Sequence, residues 1–518
     1  MDVNGKIRIE VLYMLTLITA TIFLCFRMKK GTFIMTIVFA SISRELFIGI
    51  MQLLGFYKSG HCLYAITGSF QNPGPYGGFL SVCISLLAAN SIKNGDCVKH
   101  TFLSNLSYWV IIAITITATA ILPSTQSRSA ILALGCSMLM LAIGTKRIKT
   151  RLKPILKKYG IFILLDVAIL STGAYLLKKP SADGRLFMDK ISMKAMCENG
   201  LKGAGIGHFG GAYGNAQAAY FKRQIDERGK DDLDWNAINE HDRLTADCPD
   251  NAFNEYLFTG VEAGPLAMLL LILAITTAIT VSYKRGTIWC YGLTALAIFA
   301  VFSFPLHIWQ FQLLFSVLLA ACVSDRGSES AHTEKKRIPE MIVLIAALCT
   351  LSAISILKLP EIKQTRQAEK AWKKAERWHL MEYYEYVVEE CDTLLPYMKN
   401  DYRFLFAYGQ SLNKTGNYAK SDSILEMGTA ISSDPMFWNV MGNNSLAQGR
   451  YREAEERYKH AFYMVPNRLY PLYLLAKLYH TEGDTLKFQC MFNKIERFVP
   501  KVESANIKQL RSEIRELK

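Results

Sequence analysis

The sequence predicts an all-α chain in two parts: a polytopic helical membrane domain of about ten spans, then an α-solenoid of stacked helix pairs. Three observations carry this. Apolar runs of membrane-spanning length collect before Leu359. The short loops between them carry basic clusters that fall on one side when the spans are alternated. Beyond Leu359 the chain turns amphipathic and charged, with a repeat near 34 residues. The expected boundaries are 1–358 for the membrane domain and 359–518 for the repeats, with residues 178–251 forming a large polar loop inside the first.

The chain has 518 residues, 51% of them hydrophobic, and a formal charge of +15. Much of the positive excess lies in short loops: Arg27, Lys29 and Lys30; Lys146, Arg147, Lys149, Arg151 and Lys153; Lys335, Lys336 and Arg337. Basic residues placed there orient a membrane protein, so the charge does not call for a nucleic-acid partner. The 12 cysteines show no CxxC or other metal spacing, and neither a metal nor a cofactor is expected. Cys197 and Cys248 flank the polar loop and are either a pair in an oxidising space or two free thiols. The first apolar run is followed by Arg27-Met28-Lys29-Lys30 without a small-residue cleavage site, which reads as a retained anchor.

In chain order the expected spans are Ile9–Phe26, Phe33–Leu54, Tyr76–Ile92, Tyr108–Leu122, Ala130–Gly144, Gly160–Leu177, Pro265–Tyr283, Trp289–Phe304, Ile308–Val323 and Met341–Leu357. With Arg27–Lys30 cytoplasmic, the loops at 93–99, 146–158, 284–285 and 325–337 are cytoplasmic as well. Those at 57–75, 123–129, 178–251 and 305–307 then lie outside, together with everything after Leu357. The loop Lys178–Asn251 is about seventy polar, Gly-punctuated residues, too hydrophilic for lipid and too long for a turn. It is expected to build a reaction chamber on the outer face.

In the C-terminal part, Gly416-Asn417-Tyr418-Ala419 returns as Gly449-Arg450-Tyr451-Arg452 and more loosely as Gly483-Asp484. Gly409, Gly442 and Ala476 keep that spacing, as do Leu412 and Leu446, and Pro435, Pro466 and Pro500 close successive units. Small residues where paired helices approach, with a proline ending the second helix, are how tetratricopeptide repeats look. About three units are expected, with a degenerate first unit at Gln367–Tyr397.

Candidate chemistry begins with charges in an apolar span. Arg44 and Glu45 cost several kcal/mol each in lipid unless paired or hydrated. Either the helix ends near Ser43, or Arg44 and Gln52 point into a polar cavity. Gly68 through Gly78 is a Gly- and Pro-rich loop at the mouth of a helix, readable as a plain turn or as an anion-accepting mouth. Arg128, in Pro123 through Ala130, and Arg185, soon after another span, are arginines on the outer side, against the topological bias. Guanidinium groups converging on one chamber suit a phosphate or diphosphate through bidentate hydrogen bonds. Gly203, Gly205 and Gly207 mimic a dinucleotide fingerprint, but no strand precedes them. His208 and His241 are the loop's imidazoles, the latter in a charged, solvated run. Glu255 and Glu262 lie seven apart on one helix face, either as a base near the chamber or as interfacial carboxylates.

In order, these stretches resemble the O-antigen ligase and polymerase family of bacterial membrane glycosyltransferases. The resemblance rests on Glu45 with Gln52-Leu53-Leu54-Gly55, Gly68-Ser69-Phe70-Gln71-Asn72-Pro73, and Ser124 through Ala130. It continues in Gly184-Arg185-Leu186, Gly203 through Phe209, Asn254-Glu255-Tyr256-Leu257 and Glu262-Ala263-Gly264. It implies glycan transfer from an undecaprenyl-diphosphate carrier to an acceptor hydroxyl of a glycolipid, a polysaccharide or a protein. The location implied is the periplasmic face of the bacterial inner membrane, with no metal. Arg128 and Arg185, joined by Arg44, are then the diphosphate-binding residues. Asn72, Gly205, Gly207 and Asn254 form the substrate loops, and Glu255 or His208 is the base. Ligases usually carry His before the Asn of the closing helix; Phe253 stands there in this chain. That departure leaves open a second class, a non-catalytic lipid-glycan binding or transport subunit. The repeats, on the chamber's side, are expected to bind an acceptor protein or a partner of the glycan machinery.

Overall fold

The computed structural model describes residues 31–94, 102–145, 150, 154, 179–229, 231–324, 360–361 and 363–518. Among these residues every regular element is helical and none is a strand. Four helices are long and apolar enough to cross a membrane: Ile34–Leu53, Pro73–Lys93, Tyr108–Thr125 and Pro265–Lys284. Arg128–Gly144, Trp289–Val301 and Trp309–Ser324 are apolar but shorter. The expected spans at Ile9–Phe26, Gly160–Leu177 and Met341–Leu357 lie outside the described residues.

The apolar half consists of α1 (Gly31–Leu53), α2 (Pro73–Asn94), α3 (Phe102–Ile121) and α4 (Arg128–Gly144). After the polar segment 178–251 it continues as α8 (Glu255–Ala263), α9 (Pro265–Lys284), α10 (Trp289–Val301) and α11 (Trp309–Ser324). Helices α2, α4 and α10 pack against one another at its centre. Phe70, Phe79, Phe299 and Phe311 interlock there, with successive ring centroids 5.6–6.2 Å apart. Their contact fixes the loop before α2 to the far side of the bundle.

Charges inside α1 are resolved by that loop. Glu45 is buried and accepts the Ser69 amide at 2.9 Å, the Ser69 hydroxyl at 2.7 Å and the Arg44 guanidinium at 2.9 Å. Gln52 Oε1 accepts the Thr67 and Gly68 amides at 2.9 and 2.8 Å, and its Nε2 donates to the Gly68 carbonyl at 2.9 Å. Helix α1 therefore does not end at Ser43 but runs to Leu53, and Gln52 faces a peptide loop rather than an open cavity. A polar group taken from water must find partners, and here the neighbouring backbone supplies them.

The helix ends meet in two groups. Lys93 donates to the Gly286 and Thr287 carbonyls at 2.8 and 3.1 Å, and Arg285 donates to Val323 O at 2.6 Å. These are ends expected on one side. Arg185 reaches Phe302 O and Glu255 reaches the Leu306 amide, which joins ends expected on the other.

The polar segment 178–251 is largely helical. It is not a loop but two long helices and a short one, α5 (Lys179–Glu198), α6 (Phe209–Arg228) and α7 (Glu240–Thr245). Phe187, Ile191 and Ala195 recur every four residues along α5, and Phe209, Tyr213, Phe221 and Ile225 follow the same step along α6. That spacing lines one helix face with apolar side chains, which must be covered.

The C-terminal half covers it. A helix at 363–380, α12, is followed by α13 (Tyr384–Met398), α14 (Tyr402–Lys414), α15 (Tyr418–Thr429), α16 (Met436–Ala447), α17 (Tyr451–Met464), α18 (Tyr470–Glu482), α19 (Thr485–Arg497) and α20 (Ala505–Glu516). Consecutive helices from α13 to α19 pack on one another. The repeated glycines sit at the crossings: Gly409 faces Leu425 and Gly442 faces Tyr458. Inside the stack, Asp422 accepts from Arg457 at 3.0 Å and from Asn444 at 2.7 Å, a buried polar network that favours one register.

Helices α5 and α6 share a single hydrophobic core with α17 to α20. Gln217 donates to Met464 O at 2.5 Å, Asn467 donates to the Arg243 and Ala246 carbonyls at 2.9 and 2.8 Å, and Arg243 donates to Val499 O at 2.9 Å. Helix α6 approaches so closely that a Cβ on Gly211 would stand 2.3 Å from the Ala430 carbonyl oxygen. Segments that share a core lie on one side of a bilayer. Single-cysteine variants keeping the exposed thiol of Cys197 or Cys490 are therefore expected to react with a membrane-impermeant maleimide from the same side of sealed vesicles. Labelling of Cys197 and Cys490 from opposite sides would contradict the fold.

Cys197 and Cys248 are both free thiols. Burial pushes the Cys248 thiol up to about 11, although the Arg468 guanidinium, whose Nη2 lies 3.0 Å from the sulfur, pulls the other way.

Candidate functional site

The functional candidates lie where α5 packs on α8, with the charge of Arg128 on α4 near enough to act on Arg185. Arg185 and Asp189 stand four residues apart on α5, hence on one face and one turn from each other. Both are partly buried. Arg185 Nη1 donates to the Phe302 carbonyl at 3.1 Å, and its guanidinium lies 4.9 Å from the centroid of the Phe253 ring. Phe253 is itself braced edge-on by Phe304, with centroids 5.3 Å apart. Phe253 is thus a shelf for the arginine.

Arg128 is the first residue of α4, after the cap Ser127, whose Oγ accepts the Ala130 amide at 3.4 Å. Burial, and after it the positive charge of Arg128, hold the Arg185 pKa below the ordinary guanidinium value, while Asp189 pulls it back. Two guanidinium groups close enough to oppose each other attract an anion between them. The N-terminus of α4 adds its own positive end at the same place.

Asn254 caps α8. Its Oδ1 accepts the amides of Tyr256 and Leu257, each at 3.2 Å. Burial pushes Asp189 up to about 6, against the opposing pull of Asn254 and Arg185. Beside Arg185 and Phe253 opens a hollow of about 620 Å³. Its far wall carries His241, 3.6 Å from Asp183, and Lys501 of the C-terminal half, 4.0 Å from Asp247.

The other expected site residues stand apart from this cluster. Arg44 is exposed and tied to Glu45; the charges acting on Arg185 are those of Arg128 and Asp189. Asn72 is an exposed turn residue whose Oδ1 accepts the Gly74 amide at 2.9 Å. Glu255 is 3% exposed and accepts the Leu306 amide at 2.9 Å. His307 Nδ1 lies 3.5 Å from the same carboxylate, an ion-pair approach rather than a formed hydrogen bond. Glu255 thereby fastens the turn Pro305–His307 to α8. Glu262 likewise accepts the Gly207 amide at 2.9 Å.

Gly203, Gly205 and Gly207, all at positive φ, clamp the chain onto the end of α8. The Ala204 amide donates to Val261 O at 2.8 Å and the Gly205 amide to Glu262 O at 2.9 Å. A Cβ on Gly203 would lie 2.5 Å from Glu262 O, so the glycines allow backbone-to-backbone contact. His208 follows at the start of α6, half-exposed, its Nδ1 3.2 Å from Ile206 O.

Of the expected residues, then, the fold unites Arg128, Arg185 and Asn254. Sequence reasoning missed Asp189 and the role of Phe253. The signal for Asp189 was available: a carboxylate four residues after Arg185, visible once the segment is read as a helix. Among the described residues no three His, Cys, Asp or Glu side chains stand close enough to hold a metal ion. The chain matches no model of a known protein family. No curated protein matches it either.

Proposed function

We propose that the protein is a membrane glycosyltransferase that moves a glycan from undecaprenyl diphosphate to an acceptor hydroxyl on the periplasmic face of a bacterial inner membrane. The observation that carries this reading is that Arg128 and Arg185, from separate helices, lie near enough for their charges to interact, with Arg185 on the lining of a hollow that Lys501 of the C-terminal half also reaches. A diphosphate leaving group needs its developing charge met by fixed cations, and electrostatic sites of this kind supply a large share of catalysis. The ordered motifs that resemble the O-antigen ligase and polymerase family point the same way. On this reading the apolar half has about ten spans. The C-terminal half is a tetratricopeptide-type solenoid that receives a protein acceptor or a partner of the glycan machinery, and Lys501 brings it to the rim of the hollow.

Full-length protein in nanodiscs is expected to bind undecaprenyl diphosphate at least ~10-fold more tightly than undecaprenyl monophosphate, since one further charge-assisted hydrogen bond contributes ~1.5–3 kcal/mol. Cells lacking the protein should accumulate the lipid-linked glycan while the glycosylated acceptor disappears. An unchanged lipid-linked pool would sink the proposal. A second reading, a non-catalytic lipid-glycan binder, is favoured by Phe253 in place of the usual imidazole. A binder would hold the diphosphate lipid without ever discharging its glycan.

A further inference from the structure

Resting on the transfer reading and narrowing its acceptor, we infer that a second hollow, in the C-terminal half, seats an acidic peptide segment of the protein to be glycosylated. This hollow measures about 630 Å³, the size of an ordinary ligand site. The start of α16, the turn before α18, the 500–504 turn and the first turn of α20 line it. Lys501 lines both this hollow and the one beside Arg185. A chain laid in the one therefore runs on toward the other, where a hydroxyl it carries would meet the glycan.

The lining indicates what that chain carries. Met436, Ile507 and Leu510 contribute apolar surface, and Val502 beside them is 69% exposed. A large apolar side chain gains by leaving water on such a surface, and a hydroxyl-covered glycan does not. Among the described residues that line the hollow are two cations, Arg468 and Lys501, and no carboxylate.

Both cations approach one carboxylate from beside the hollow. Arg468 Nη2 lies 3.9 Å from Asp247 Oδ1, and Lys501 Nζ lies 4.0 Å from Asp247 Oδ2. These separations are longer than a hydrogen bond, and the Asp247 side chain is 66% exposed. Arg468 also keeps Asp434 at 3.4 Å through its other terminal nitrogen. Asp247 is thus the loosely held occupant of a place where one carboxylate spans two cations. An aspartate or glutamate of the incoming segment, closing to hydrogen-bond distance, would displace it and form charge-assisted bonds. The first turn of α20 lines the same hollow, and the positive end of a helix favours the same sign of charge.

The test pans a phage-displayed library of random peptides on full-length protein in nanodiscs, then measures a synthetic copy of the most enriched one. Enriched sequences should carry Asp or Glu beside a large apolar residue. Replacing that acid in the peptide by its amide should weaken binding ~10-fold or more, the loss of one charge-assisted hydrogen bond. Lys501→Ala should weaken the acidic peptide and leave the amide peptide unchanged. Asp247→Asn, which keeps the acceptor for the Cys248 amide, should tighten the acidic peptide because its internal competitor is gone. A role confined to holding the fold would not give opposite signs at these two neighbouring charges. If no acidic sequence enriches, if Lys501→Ala weakens both peptides alike, or if Asp247→Asn weakens the acidic one, the inference fails. Lipid-linked glycan accumulating in cells without the protein would then still uphold the transfer reading. If phosphorylated core oligosaccharide displaces the peptide more strongly than unlabelled peptide does, the acceptor is a glycolipid and the inference is likewise overturned. If the peptide behaves as expected but the lipid-linked pool is unchanged in those cells, the hollow binds a partner, and the acceptor assignment falls with the transfer reading.

Discussion

Arg185→Ala is expected to cut glycan transfer by ~10²–10³-fold, the effect of deleting one preorganised donor from an electrostatic site. The protein should still reach the membrane in normal amount. The side chain ties no buried core together: its partners are the Phe302 carbonyl, the Phe253 ring and the charges of Asp189 and Arg128. Removing it leaves α5 with an intact apolar face. Arg185→Lys should recover only a small part of the lost rate, because a lysine cannot form the bidentate, ring-stacked contact. The check is the ratio of lipid-linked glycan to glycosylated acceptor in cells expressing each variant at matched levels. A normal ratio in the alanine variant would remove the diphosphate site from the mechanism.

Gly211→Val should be the most damaging single change outside that site. Its Cβ would stand 2.3 Å from the Ala430 oxygen, 2.5 Å from the Ala430 carbon and 2.5 Å from the Thr429 oxygen, all of them backbone atoms that cannot rotate away. The neighbouring Gly210 meets Ile431 O at 2.5 Å in the same way. Forcing extra atoms into packed structure costs ~1–3 kcal/mol, and valine's branches add to this. The better helix propensity of a residue other than glycine returns less than ~1 kcal/mol. Helix α6 must then lift from the 429–431 turn. The outcome should be a lower thermal midpoint and faster proteolysis of the polar segment 178–251. Gly135→Ala on α4 meets nothing within 4 Å and serves as the neutral control. Equal behaviour of the two variants would show that the contact contributes little.

Much of the helical architecture is readable from the chain because apolar runs and repeat spacing are local signals. The spans at Phe33–Leu54, Tyr76–Ile92 and Pro265–Tyr283 coincide closely with helices Ile34–Leu53, Pro73–Lys93 and Pro265–Lys284. The repeated glycines of the C-terminal half lie at helix crossings because only a small residue fits there. Residues 178–251 were misjudged because their glycines and charges outweighed a four-residue apolar period. That period becomes meaningful only when a partner 200 residues away is known to cover it. Arg128 and Arg185 were legible as outward cations out of place. Glu255 was not separable from a base, since a carboxylate that fastens a turn and one that accepts a proton look identical in sequence. Asp189 is pushed up by burial, which is a tertiary fact.

The core shared by α5, α6 and α17 to α20 constrains how the chain comes into being. Synthesis delivers the first two of these helices more than 200 residues before the last four. Throughout that interval the early pair stands with Phe187, Ile191, Tyr213 and Phe221 uncovered, an amphipathic hairpin beside a lipid surface it could bind. Maturation therefore waits on the final stretch to emerge, and an mRNA truncated near codon 360 would yield a polypeptide marked for quality-control proteolysis rather than a smaller working protein.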